Sequence, residues 1–307
     1  MVAIFDGMNK VMRFIFFGNV FYGVCAVALS VEAGLQLLGD VNDWLYYVLT
    51  FLAAVLYYNV AYITEKPSLS LHPRSRWYAQ HLKSIKAAHF WLTVVFIAGL
   101  LFLLWKYWEG ILVMPFYLWL VVLVFPVVAS FYYGINHRAV KRYNLRDIGW
   151  LKPFIIGFSW AGLVTVFPVV YYCITHDVVF PLSVFGVLLF VKNCMFISLL
   201  CILFDIKDYA TDYNQRLKTF VVNFGLRKTI FYIIIPLTIV GLGSFLTYGF
   251  TQGFSREKIL LNTVPFVLLL LVARSLQRRK SIFYYLVIID GLMLVKALCG
   301  SIAALYF

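Results

Sequence analysis

Charge is what this 307-residue chain has least of. Only 13% of its side chains are Asp, Glu, Lys or Arg, with 13 acids against 26 bases, and 63% are hydrophobic. At a mean hydropathy of +0.89, so few charges cannot solvate the surface of a soluble domain of this size, which leaves an integral membrane protein. Cysteine excludes two further classes. Cys25, Cys173, Cys194, Cys201 and Cys299 are odd in number, fall inside apolar runs and show no CxxC or Cys/His spacing, so they read as packing residues rather than a disulfide framework or a zinc site. No internal repeat, low-complexity tract or Gly-rich phosphate loop is present, and residues 1–307 read as a single domain. The first apolar segment has no small-residue cleavage site and is too long for a removable signal peptide, so it is expected to persist.

Long hydrophobic runs are abundant. A spanning helix needs about 20 mostly apolar residues, because its backbone groups must be satisfied internally where water is absent. That ruler places spans near 13–38, 42–65, 84–105, 111–135, 151–173, 180–204, 229–250, 259–274 and 282–306, an all-α bundle of nine transmembrane helices. Cations fall in every second connection, among them Arg74 and Arg76, Arg142 and Arg146, Lys218 and Arg227, and Arg278 and Lys280, whereas the opposite connections hold only Lys106, Arg256 and Lys258. Because Lys and Arg accumulate on the cytoplasmic side, this pattern makes the amino terminus cytoplasmic and the carboxyl terminus external. The net charge of +13 is then mostly topology, and nucleic acid is not an expected partner.

Against this background the stretch "FDIKDYATDYNQRLKTF" (204–220) stands out, with Asp205, Asp208 and Asp212 within eight residues at the end of an apolar run. At about 100° per residue, offsets of three and seven bring the three carboxylates to one helix face. Carboxylates gathered this way repel one another unless a cation is present. Mg²⁺ suits hard oxygen ligands, binds one or two carboxylates and keeps room for water and phosphate oxygens. The expected metal ligands are therefore Asp205, Asp208 and Asp212, and the fitting ligand at a cytoplasmic membrane edge has a phosphate head and an apolar tail. The plainer reading is a solvated juxtamembrane turn that happens to be acidic.

The phrase "DIKDYATDYNQRLKTFVVNFGLRKT" (205–229) resembles the second aspartate-rich motif of the UbiA superfamily of intramembrane prenyltransferases. Asp208 and Asp212 stand at its acidic positions and Lys218 and Thr219 at its Lys-Thr. "KRYNLRDIGWLKPF" (141–154) is similar to the basic connection before the fifth helix, "YYLVIIDGLMLVKAL" (284–298) to the last helix of a divergent bacterial branch, and Asn59 stands where the first motif's asparagine would. The first motif otherwise departs from the family: its two acidic positions hold Ile63 and Pro67, and the nearby Glu65 is off register.

This resemblance implies a Mg²⁺-dependent enzyme of a bacterial cytoplasmic membrane. It would transfer an isoprenyl group from a prenyl diphosphate to a lipophilic, aromatic acceptor, with membrane lipids as its surroundings. Asp208 and Asp212 would be the catalytic pair, and Asn59, Lys141, Arg142, Arg146, Lys152 and Lys218 would meet the substrate. A non-catalytic relative that binds lipid or acts as a scaffold, a terpene cyclase of the same family and a transporter are the alternatives. Charges deep in the spans are costly and usually paired, so Lys192 with Asp290, and Glu32 with Lys296, are expected to form ion pairs.

Overall fold

In a medium without water a helix satisfies its own backbone, and the described residues are helical with no strand among them. The structure is a computed structural model that describes residues 10–64, 73–133, 148–178, 183–214, 216–278 and 280–307. The helices are α1 (Lys10–Phe17), α2 (Val20–Leu38), α3 (Trp44–Thr64), α4 (Pro73–Lys106), α5 (Trp108–Val113) and α6 (Phe116–Tyr133). They continue as α7 (Lys152–His176), α8 (Val184–Asn214), α9 (Phe220–Phe224), α10 (Leu226–Thr251), α11 (Arg256–Ser275) and α12 (Tyr284–Tyr306).

Eight of the described helices, namely α2, α3, α4, α7, α8, α10, α11 and α12, are long and apolar enough to cross a membrane. The 111–135 segment, expected as one continuous span, is instead divided between the six-residue α5 and the 18-residue α6, with the break at Met114 and Pro115. Proline has no N–H to continue a helix from the preceding turn. Two other helices outrun their expected limits. α4 begins at Pro73 with a basic turn, kinks at His81 (φ −112°, ψ 16°) and only then becomes the apolar span expected from 84. α8 continues past 204 through all three aspartates to Asn214.

The helices group into two compact units, one from residues 1–27 and 43–112 and the other from 28–42 and 113–307. In the first, α3 packs along α4, and a Cβ at Gly99 would lie 2.8 Å from Leu49 Cδ2. The apolar length of α4 otherwise exposes Phe90, Trp91, Val95, Leu101 and Trp105, as expected of a helix whose solvent is lipid. In the second unit the tightest pair is α7 with α8. A Cβ at Gly157 would meet Ser198 Oγ at 2.1 Å and the Cys194 carbonyl at 2.6 Å, so the missing side chain lets the two backbones touch, as small residues do between membrane helices. π-helical turns at Gly162–Val166 and Ile230–Ile234 lead into Pro168 and Pro236, where the absent proline N–H leaves the usual ladder short of a donor.

Candidate functional site

The acidic stretch is the last part of a 31-residue helix. At 1.5 Å per residue α8 is about 46 Å long, more than the ~30 Å hydrocarbon core, so its carboxyl end reaches the membrane edge. Asp205 is completely buried and accepts a hydrogen bond from Lys152 Nζ, 2.8 Å from its Oδ1. Lys152 opens α7, and Pro153 behind it supplies the fixed φ that suits a first turn. The close α7–α8 packing at Gly157 holds the two side chains at this distance. The ammonium also lies within electrostatic reach of Tyr132, at the end of α6, and of Asp212. Asp205 Oδ2 is buried and accepts no hydrogen bond among the described residues.

Asp208 and Asp212 differ in setting. The Asp208 side chain is 31% exposed, with Lys207 Nζ 3.4 Å from Oδ1, and its charge reaches the buried Tyr285 near the start of α12. Asp212 is buried one turn further on. Its carbonyl accepts from Leu217 N at 2.9 Å, with Arg216 in the left-handed region at φ 57°, and the chain turns sharply away from α8. The Lys218–Thr219 backbone then crosses Gly149, where a Cβ would lie 2.6 Å from the Lys218 carbonyl carbon. Thr219 is buried and its hydroxyl caps α9 by accepting from Val222 N, while Lys218 is exposed. In the "FGLRKT" phrase, Gly225 takes φ 77° and Thr229 Oγ1 reaches back to the Gly225 carbonyl at 2.9 Å. The phrase is a turn that returns the chain to the membrane.

The structure thus brings Asp205, Asp208, Asp212 and Lys152 together, with Lys218 on the adjoining segment. Lys141, Arg142 and Arg146 lie outside the described residues, as do Glu65 and Pro67. Three carboxylates do not converge as a metal cluster among the described residues. Asp205, expected beside the metal, is held by Lys152, which was expected at the substrate. What fits Mg²⁺ is the pair Asp208 and Asp212, one turn apart with the first open to solvent, since this ion asks for one or two carboxylates plus water or phosphate oxygens. Tyr285 is the neighbour that the sequence did not single out; it lies within the 284–298 phrase, near the start of α12, and that position is its only sequence signal. Tyr209, between the two aspartates on α8, is 43% exposed and stacks on the exposed Tyr213.

Asn59 belongs to the first unit's own polar network. Asn19, at φ 64° between α1 and α2, donates from Nδ2 to Asn59 Oδ1 at 2.8 Å, and the Tyr78 hydroxyl donates to the same oxygen at 2.7 Å. Arg74 Nη2 donates to Asn19 Oδ1 and to the Phe17 carbonyl, and its guanidinium lies 4.5 Å from the Tyr62 ring centre. Ile63, one turn beyond Asn59, is half-buried.

Among the deep charges, the Glu32–Lys296 pair forms as expected, with Nζ 2.7 Å from Oε2 and both side chains buried. The expected Lys192–Asp290 pair does not form: Lys192 Nζ donates to Asn262 Oδ1 at 2.6 Å and lies 4.1 Å from the Phe245 ring centre. Asp290 is buried as well.

Neither a protein-family model nor a curated protein sequence matches the chain. A solved structure of a digeranylgeranylglyceryl phosphate synthase in membranes aligns over 98% of this chain and 100% of its own, with a TM-score of 0.56 and 14% identity. At that identity the likeness is one of fold, and this chain has the all-helical membrane fold of that synthase.

Proposed function

We propose that the protein is a UbiA-type membrane prenyltransferase, acting at the cytoplasmic end of α8 on a prenyl diphosphate and a lipophilic aromatic acceptor. The observation that supports this most is the location of the acidic phrase. In a chain that shares a prenyltransferase fold along its length, it ends a membrane-spanning helix and gathers Asp205, Asp208, Asp212 and Lys152 at one place.

Asp208 and Asp212 would hold Mg²⁺, which when bound supplies positive charge against the diphosphate oxygens. The allylic C1–O bond breaks with its electron pair leaving on the diphosphate, the acceptor carbon bonds to C1, and the acceptor loses the displaced proton. Preorganised charge directed at the leaving group is the main contribution a protein makes to such a step. Lys218 and the basic run Lys141, Arg142 and Arg146 are the cations assigned to the phosphate oxygens, Arg through its forked donors and Lys as a compact charge. The apolar helix faces leave the prenyl chain in lipid-like surroundings, away from water that would quench the transfer.

The assay is purified protein in lipid with Mg²⁺, radiolabelled prenyl diphosphates of several lengths and a membrane extract as acceptor source, followed for diphosphate release and prenylated product. Asp208→Asn and Asp212→Asn should each lower product formation about 100-fold or more. Turnover unchanged in both variants overturns the assignment. The half-buried Ile63, at a position where the family places an acid, favours a second reading in which the protein binds the diphosphate without turning it over. Binding that depends on Asp208 and Asp212, with no release across the whole panel, selects that reading.

A further inference from the structure

Charge in the first unit is divided between its two ends. α3 and α4 run antiparallel, with Asn59 beside Tyr78 at one end and Leu49 beside Gly99 at the other. The described acids of the unit, Asp43 and Glu109, belong to the second end, where Lys106 lies within electrostatic reach of Asp43. Arg74, Arg76, Lys83 and Lys86 belong to the first end. α1, with Lys10 and Arg13, is tied to that end through the Phe17 carbonyl, which accepts from Arg74 and Tyr78. No Asp or Glu occurs in residues 66–108.

The 34-residue α4 is about 51 Å long at 1.5 Å per residue, against a hydrocarbon core of ~30 Å, so its polar turns extend past the lipid chains. Beyond the kink at His81, Lys83, Lys86, Phe90, Val94, Ile97 and Leu101 fall within a sector of about 80° at 100° per residue. All six are exposed. One face of α4 therefore carries two ammonium groups that run on into an apolar strip, and no carboxylate among the described residues pairs with either lysine.

This order of groups matches a phospholipid, with phosphate at the lysines and acyl chains along the strip. A zwitterionic headgroup would bring its own cation to a place with no acid to receive it, whereas an anionic headgroup meets only complementary charge. A second copy seated on the same face through a two-fold axis would set the lysines against each other. We propose that this face of α4 binds an anionic phospholipid, its phosphate between Lys83 and Lys86 and its chains along Phe90 to Leu101. The site is separate from the acidic end of α8 and does not depend on the prenyl transfer assigned there.

The experiment uses the full-length protein in phosphatidylcholine liposomes that contain a trace of phosphatidylglycerol or of phosphatidylcholine with a photoreactive acyl chain, and locates the label by peptide mass spectrometry. Because each cation near the surface favours an anionic lipid about fivefold, the phosphatidylglycerol probe should label residues 87–101 at least about fivefold more than the phosphatidylcholine probe. Lys83→Gln/Lys86→Gln should abolish the preference and Lys83→Arg/Lys86→Arg should keep it; both positions are exposed, so neither pair disturbs packing. Equal labelling by the two probes, or a preference that survives Lys83→Gln/Lys86→Gln, overturns the proposal. Disulfide cross-linking between chains carrying Phe90→Cys, in a background without native cysteines, gives the face to a second copy and overturns it as well.

Discussion

Lys296 and Glu32 lie 264 residues apart in sequence and meet at 2.7 Å with almost no exposure. Gly300, one turn after Lys296, makes room for the carboxylate; a Cβ there would lie 2.2 Å from Glu32 Oε1. Removing one partner of a buried pair strands the other charge, which costs about 3–5 kcal/mol, whereas replacing both with neutral groups is far milder. Lys296→Met should therefore lower the thermal unfolding midpoint in detergent sharply, and Lys296→Met/Glu32→Gln should recover most of the loss. A double variant as unstable as the single one would refute this account. The pair was legible in the sequence because charges at matching depths must find each other. Lys192 shows the limit of that reasoning: depth allowed Asp290 as its partner, but the direction a side chain takes around its helix depends on packing, and packing gave it Asn262 and Phe245.

At the scale of elements, the contact between α7 and α8 fixes the site. Lys152 and Asp205 sit near one end of that contact and Gly157 lies one to two turns along α7, against the Cys194 carbonyl and Ser198. Ser198 could rotate away from an added side chain, but the Cys194 backbone could not. Gly157→Val should separate the helices, at a cost of about 1–3 kcal/mol for overpacking. Thermal denaturation measures that cost, and Mn²⁺ binding reports whether the acidic face is displaced with it. An unchanged midpoint would show that the backbones do not need this approach. Hydropathy located the apolar part of each helix and misjudged the polar ends, since the ruler stops where charge begins while hydrogen bonding does not. The α4 turn from Pro73 and the α8 turns through Asp212 are helical for that reason.

For the whole molecule, the alternation of basic connections predicts sidedness. Lys228 and Arg256 are exposed at opposite ends of α10 and its following connection. In a background without native cysteines, Lys228→Cys should react with an impermeant thiol reagent only from the cytoplasmic side, and Arg256→Cys only from the external side. Reversed labelling would invert the topology and move the acidic end of α8 outside the cell.

The sequence by itself determined the solvent of this protein, its helical class and the place in the chain where acid gathers, because these depend on composition and on the 3.6-residue period alone. It also supplied the family resemblance, on the strength of one phrase and its spacing. At the acidic site, only the tertiary structure decided which groups meet. It gave Asp205 to Lys152, left Asp208 open and committed Asn59 to Asn19 and Tyr78. The reason is geometric: a sequence sets the order and depth of side chains along each helix, whereas rotation about the helix axis and the choice of neighbouring helix arise from small-residue contacts such as Gly157 and Gly300, which no local pattern reveals.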